Sequence, residues 1–188
     1  MELLELSRLV DLAISDCEQT IKQNPKAVLS EGDFEKLLSE CLSRRIGYVI
    51  GNPTPDSFAV YTQISHYDNL SDDKDAQVDL LLMKPDKIDK SVDKNKRFIY
   101  KSKESLAIEL KYRHEDNHAC VSAAIQDIDK FIKYKDDSYY YSIILLDKND
   151  KTKSNEKEII DYYNAKKKEF GKEYKDRFFC KVLVKETE

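Results

Sequence analysis

SLAIELKYR, residues 105–113, is the stretch whose reading decides the architecture. Leu106, Ile108, Leu110 and Tyr112 alternate with Ala107, Glu109, Lys111 and Arg113, the period of a β-strand, so the two sets lie on opposite faces. Glu109 and Lys111 therefore project together, about 7 Å apart along the strand from a rise of roughly 3.3 Å per residue. Charged side chains in the middle of an apolar strand need a partner or a task, because burying an unpaired charge is expensive.

Upstream, QVDLLLM (77–83) and SFAVYTQISH (57–66) are rich in apolar, β-branched and aromatic residues and read as two further strands, separated by a polar loop at 67–74. Before them, residues 3–22 carry Leu3, Leu6, Val10, Ala13, Ile14, Cys17 and Ile21 at helical spacing, and Asn24-Pro25 ends the run. A second helix starts at a capping box formed by Ser30 and Asp33 and continues through the stripe Phe34, Leu37, Leu38, Cys41 and Leu42. Gly47 and Gly51-Asn52-Pro53 then turn the chain.

Downstream, Val121, Ala124, Ile125, Ile128, Phe131 and Ile132 predict a helix over 119–134, with Asp116 or Asn117 as its cap. YYYSIILL (139–146) reads as a strand buried on both faces, which favours the core for its tyrosine run, an interface or a base-stacking surface being the alternative. A charged helix over 156–170 and a strand over 178–184 complete the pattern.

The expected fold is α/β, with a mixed central sheet flanked by helices on both faces. One domain spans 1–188: an N-terminal helical extension (1–25), a core of order αβββαβ (30–146) and a C-terminal helix-strand (147–188). There is no internal repeat, and the biased segments are a Lys/Asp loop at 84–96 and a Lys-rich stretch at 166–175.

Composition sets limits on function. The 188 residues are 40% hydrophobic and 36% charged, against roughly 25% charged in an average soluble domain. No apolar run approaches the roughly 20 residues that cross a bilayer, and the opening MELLELSRLVDLAISDCEQT carries acids where a signal peptide carries bases. A soluble, cytoplasmic protein with no membrane partner is expected. Cys17, Cys41, Cys120 and Cys180 are scattered among apolar neighbours and read as reduced core thiols. The net charge of -4 counts against a generic nucleic-acid coat. Between Lys84 and Lys103, however, eight basic residues face three acids, a surplus that makes a local basic lip.

Asp79 lies in the middle of the strand that precedes Glu109. If the two strands pair, both carboxylates can share a cation. A hard cation, Mg²⁺ or Mn²⁺, favours such an all-oxygen environment, completed by a backbone carbonyl such as that of Leu110 and by water. It would neutralise charge on a phosphate and lower the pKa of bound water, while Lys111 would orient that water and steady the transition state. Read without a function, the same residues make a structural ion pair at the sheet margin.

The pattern Asp79…Glu109-Leu110-Lys111, on the second and third strands after a helix bearing an acid, resembles the PD-(D/E)XK nuclease superfamily, the restriction-endonuclease-like fold. The resemblance covers roughly residues 30–146. It implies a Mg²⁺-dependent nuclease with Asp79 and Glu109 as metal ligands and Lys111 as the catalytic lysine. Glu35 matches the first-helix glutamate that many members use, and Glu31, one turn earlier, is the alternative. The proline that names the motif is absent, Val78 standing in its place. Gln126 matches the glutamine that some members carry on the helix after the lysine strand; an exposed amide is the plainer reading.

The long separation of Asp79 from Glu109 contains the Lys-rich segment. Lys94, Lys96 and Arg97 would make it a basic flap on a nucleic-acid backbone; a solvated loop is the alternative. His114-Glu115-Asp116-Asn117-His118 matches the zinc-protease signature H-E-x-x-H, which needs a helix beneath it, yet it directly follows a strand. His66 and His114 would otherwise lie near the mouth of the nuclease site or on the surface. The leading expectation is a nuclease acting on nucleic acid, DNA in first place, in restriction, defence or repair, with a homodimer suited to double-strand cleavage. The alternatives are a catalytically inactive binding module of the same fold and a zinc hydrolase built on His114 and His118.

Overall fold

The stretch at 105–113 becomes the central strand of a five-stranded sheet. The computed structural model describes residues 2–47, 57–65, 77–92, 98–102, 104–133, 138–169 and 175–186. In chain order its elements are α1 (Leu3–Gln23), α2 (Glu31–Ile46), β1 (Ala59–Ser65), β2 (Gln77–Met83), β3 (Asp89–Val92), β4 (Phe98–Lys101), β5 (Ser105–Tyr112), α3 (Asn117–Lys133), β6 (Tyr139–Asp147), α4 (Thr152–Lys167) and β7 (Phe178–Lys185). The sheet runs β1-β2-β5-β6-β7. β1, β2 and β5 are antiparallel neighbours, while β5, β6 and β7 are parallel. The mixed α/β architecture expected from the sequence is thus present.

Handedness explains where the helices lie. The parallel strands advance in one direction across the sheet, β5 to β6 to β7, and right-handed crossovers of that kind leave both connecting helices on one face. α3 and α4 share a core with Leu81, Ala107, Tyr140, Ile144 and Phe178. α1 and α2 cover the opposite face, packing on Leu80, Leu106, Ile108, Leu110, Tyr141, Ile143 and Leu145. The alternation read in β5 and the two-sided burial read in β6 follow directly. Each fully buried Leu, Ile or Phe here contributes about 1.5–3 kcal/mol of transfer free energy.

Local signals place the ends of the elements. Ser30 Oγ accepts the Asp33 N–H at 3.2 Å, and Asp33 Oδ2 accepts the Leu29 N–H at 3.1 Å, closing the α2 capping box. Gly47 ends α2 with φ +69°, a left-handed conformation that glycine adopts without strain. α4 begins earlier than its apolar pattern suggests, at Thr152, which closes the turn that precedes the helix: the Asn149 N–H donates to Thr152 Oγ1 at 2.7 Å. That turn is polar and leaves no mark on hydrophobic periodicity.

The Lys/Asp segment differs from the expected loop. β3 and β4 form an antiparallel hairpin, with Asp89 opposite Lys101 and Lys90 opposite Tyr100. Interleaved charges hid the strand period there. The hairpin is inserted between β2 and β5; Lys94, Lys96, Arg97 and His66 lie outside the described residues. Among the described residues, no helix is long and apolar enough to cross a membrane, and Cys17, Cys41, Cys120 and Cys180 are free thiols.

Candidate active site

The β2–β5 ladder runs from Met83 opposite Ser105 to Leu80 opposite Ile108. One step further the register sets Asp79 against Glu109, and there a side chain takes over from the backbone: Asp79 Oδ2 accepts the Leu110 N–H at 2.7 Å. The Asp79 carboxylate is therefore tied to the triplet Glu109-Leu110-Lys111 by a charge-assisted bond.

Lys111 lies at the centre of the cluster. Its Nζ donates to the Leu110 carbonyl at 2.8 Å and stands 3.2 Å from Asp127, 3.8 Å from Glu31 and 3.9 Å from Asp79. Burial works against the charged ammonium, but Asp127, Asp79, Glu31 and Glu109 together outweigh it and hold the Lys111 pKa above the ordinary lysine value. Glu109, 4% exposed, pairs with Lys130 of α3. Burial pushes its carboxyl above the ordinary value, Lys130 pulls the other way, and Asp79 and Asp127 add to the rise. Asp127 is raised in the same way, by burial first, against the pull of Lys111 and Lys130.

Both candidate acids of α2, Glu31 and Glu35, reach this cluster. Glu31 Oε2 accepts the Tyr112 N–H at 3.2 Å. Glu35, one turn on, connects to Asp79 through Gln63, whose Nε2 donates to Glu35 Oε2 at 3.0 Å and to Asp79 Oδ1 at 3.2 Å. Partial burial raises the Glu35 pKa, the Gln63 hydrogen bond counters it, and Asp79 and Glu31 add to the rise. Gln63 holds φ +52° within β1, a left-handed conformation unfavourable for a residue with a side chain.

Asp79, Glu109, Lys111 and Glu35 thus belong to one connected cluster. Gln63, Asp127 and Lys130 join them from outside the set to which the nuclease pattern points. Asp127 and Lys130 are three apart on α3, so they share a helix face, and their charges are opposite to those they meet on β5. That complementarity is the sequence signal that could have found them. Gln126 is exposed, and its neighbour Asp127 is the residue that meets Lys111.

The chemistry of the donor set suits a hard divalent cation. Glu31, Glu35, Asp79, Glu109 and Asp127 outnumber Lys111 and Lys130, and the buried Asp127 Oδ2 accepts no aligned hydrogen bond. Among the described residues no three His, Cys, Asp or Glu side chains converge as a ready-made metal cluster: Lys130 engages Glu109 and Lys111 engages the Leu110 carbonyl.

The H-E-x-x-H segment has a different geometry from the zinc signature. α3 starts at Asn117, capped by Asp116 Oδ1, which accepts the Ala119 N–H at 3.0 Å. His114 lies in the preceding turn and His118 in the first helical turn, so the pair lacks the one-turn spacing on a continuous helix. His114 Nδ1 is instead 3.0 Å from the Tyr112 hydroxyl, and buried Asp147 accepts the Glu115 N–H at 2.6 Å. Comparison of the chain with protein families, with curated proteins and with solved structures finds no match in any of the three.

Proposed function

We propose that this chain is a Mg²⁺- or Mn²⁺-dependent nuclease that hydrolyses phosphodiester bonds, with DNA as its first candidate substrate, and that it acts in the cytoplasm. The observation that carries the reading is the alignment of Asp79 with Glu109 across β2 and β5, with Lys111 two residues on and 3.9 Å from Asp79. Its likeness in pattern and element order to the PD-(D/E)XK nucleases supports the same conclusion.

Asp79, Glu109 and the Leu110 carbonyl would hold the cation, with Glu31 or Glu35 completing the oxygen set. Bound there, the ion supplies charge neutralisation at the phosphate and a more acidic water. Lys111, charged at neutral pH, donates to the attacking water or to a phosphate oxygen. Asp127, 3.2 Å from Nζ, steadies the ammonium. The basic segment containing Lys94, Lys96 and Arg97 would hold the backbone of the nucleic acid.

Incubation with supercoiled plasmid and Mg²⁺ or Mn²⁺, beside Asp79→Ala and Lys111→Ala, tests this. Wild type should nick or linearise the plasmid, and each variant should lose at least about a hundredfold in rate, the scale of removing one electrostatic contact to the transition state. Equal cleavage by all three proteins would assign the activity to a contaminant.

The second reading, a catalytically inactive binding module, draws on the same contacts. Lys130 engages Glu109 and Lys111 engages the Leu110 carbonyl, a self-satisfied arrangement that could simply hold the fold. DNA binding without cleavage, unaffected by divalent metal, is the outcome that would favour it.

A further inference from the structure

Gln63 was not among the residues that the pattern of the site required, yet it has the most unusual conformation in it. β1 pairs with β2 through Thr62 opposite Leu80 and Ile64 opposite Val78, so Gln63 stands opposite Asp79. Its φ of +52° breaks the extended conformation of the strand at that one point. A left-handed conformation is unfavourable for a residue with a side chain. The gain that accompanies it is visible in the side chain. Nε2 meets Glu35 Oε2 of α2 at 3.0 Å and Asp79 Oδ1 of β2 at 3.2 Å.

Those two carboxylates come from different layers, α2 and the sheet, and repel each other. A neutral donor between them lowers that repulsion without neutralising either. A lysine in the same place would compete with a cation, and an alanine would leave the acids free to separate.

We propose that Gln63 is the positioning residue of the acid cluster: its carboxamide sets the spacing between the helix acid Glu35 and the strand acid Asp79 so that both present oxygens to one divalent cation. This rests on the nuclease reading of the site. Gln63 acts through the two acids and is not itself a ligand, the part taken elsewhere by outer-shell hydrogen-bonding groups that orient metal ligands.

The test separates the amide from the backbone. Gln63→Ala removes the amide and keeps the strained backbone; Gln63→Gly removes the amide and relieves the strain. Mn²⁺ affinity of the full chain is measured by titration calorimetry, and thermal stability is measured in chelator, with Asp79→Ala as reference. Both Gln63 variants should bind Mn²⁺ roughly 10- to 100-fold more weakly than wild type, the usual loss for an outer-shell partner. Their melting temperatures in chelator should diverge, the glycine variant being the more stable. Affinity then follows the amide, while stability follows the strain. If Mn²⁺ affinity is unchanged in both variants but lost in Asp79→Ala, the proposal is overturned and the metal site stands. If Asp79→Ala binds Mn²⁺ as wild type does, the nuclease reading fails and the proposal fails with it.

Discussion

At the scale of single residues, the cluster is governed by reciprocal charge. Glu109 and Lys111 project from β5 toward α3, where Lys130 and Asp127 meet them in the opposite order. Glu109 is the more buried member of its pair, at 4% exposure against 19% for the Lys130 side chain. Breaking a buried ion pair from one side commonly costs roughly 3–5 kcal/mol, because a desolvated charge is left behind. Glu109 can take up a proton when it loses its partner, so Lys130→Met should fall at the low end, about 3 kcal/mol by urea unfolding. The double variant Glu109→Gln/Lys130→Met should recover most of that loss, and the resulting double-mutant cycle measures the coupling directly. Full additivity of the two changes would show that the pair contributes nothing.

At the scale of elements, the start of α2 places Glu31 and Glu35, so its cap bears on the site. The Ser30 hydroxyl donates to Asp33 and accepts the Asp33 N–H of the first turn, and the Asp33 carboxylate accepts the Leu29 N–H just before the cap. Ser30→Ala should cost about 1 kcal/mol. The Asp33 carboxyl is held below its ordinary value of 3.8 by the Ser30 hydroxyl and the Leu29 N–H. A carboxyl whose folded-state pKa is depressed contributes stability above its unfolded value and loses it as pH falls through the folded one. Wild type should therefore be more stable than Asp33→Asn at neutral pH, and the gap should close on acidification below about pH 4, where the unfolded carboxyl titrates. Thermal melts across that range check the sign; a gap that widened toward acid would contradict the assignment.

At the scale of the whole molecule, one buried polar network joins most of the layers. Lys185, at the end of β7 and 5% exposed, donates to the Val28 carbonyl at 2.7 Å and to the Tyr112 hydroxyl at 2.8 Å. Asp147, at the end of β6 and 1% exposed, accepts from Tyr112 at 3.1 Å, and its backbone is clasped by Asn117 of α3. Thr152 Oγ1 of α4 donates to the Asp147 carbonyl at 3.0 Å. The link between α1 and α2, the ends of three parallel strands and the starts of two helices thus meet here. Lys185→Met should destabilise by about 3–5 kcal/mol, since it leaves the buried Asp147 carboxylate without the cation 3.8 Å away and the Val28 carbonyl without its donor. Equilibrium unfolding measures this; a loss under about 1 kcal/mol, the scale of an exposed pair, would remove the network from the account of stability.

Most of the architecture was legible in the chain because periodicity is a property of neighbours in sequence. Alternation in 105–113 assigned Glu109 and Lys111 to one face, the unbroken apolar run at 139–146 predicted burial on both sides, and the Ser30–Asp33 box marked the start of α2. Two features escaped that reading at the level of elements. Alternating charges hid the β3–β4 hairpin, and a polar turn closed between Asn149 and Thr152 started α4 early. The site was legible only in half. Period states which way a side chain points, but not what stands across from it. That α3 brings Asp127 and Lys130 against β5 follows from the crossover that lays α3 over the parallel strands. That Gln63 turns left-handed to meet Glu35 and Asp79 depends on three elements meeting at one point. Such contacts join residues far apart in the chain, and only the tertiary structure decides them.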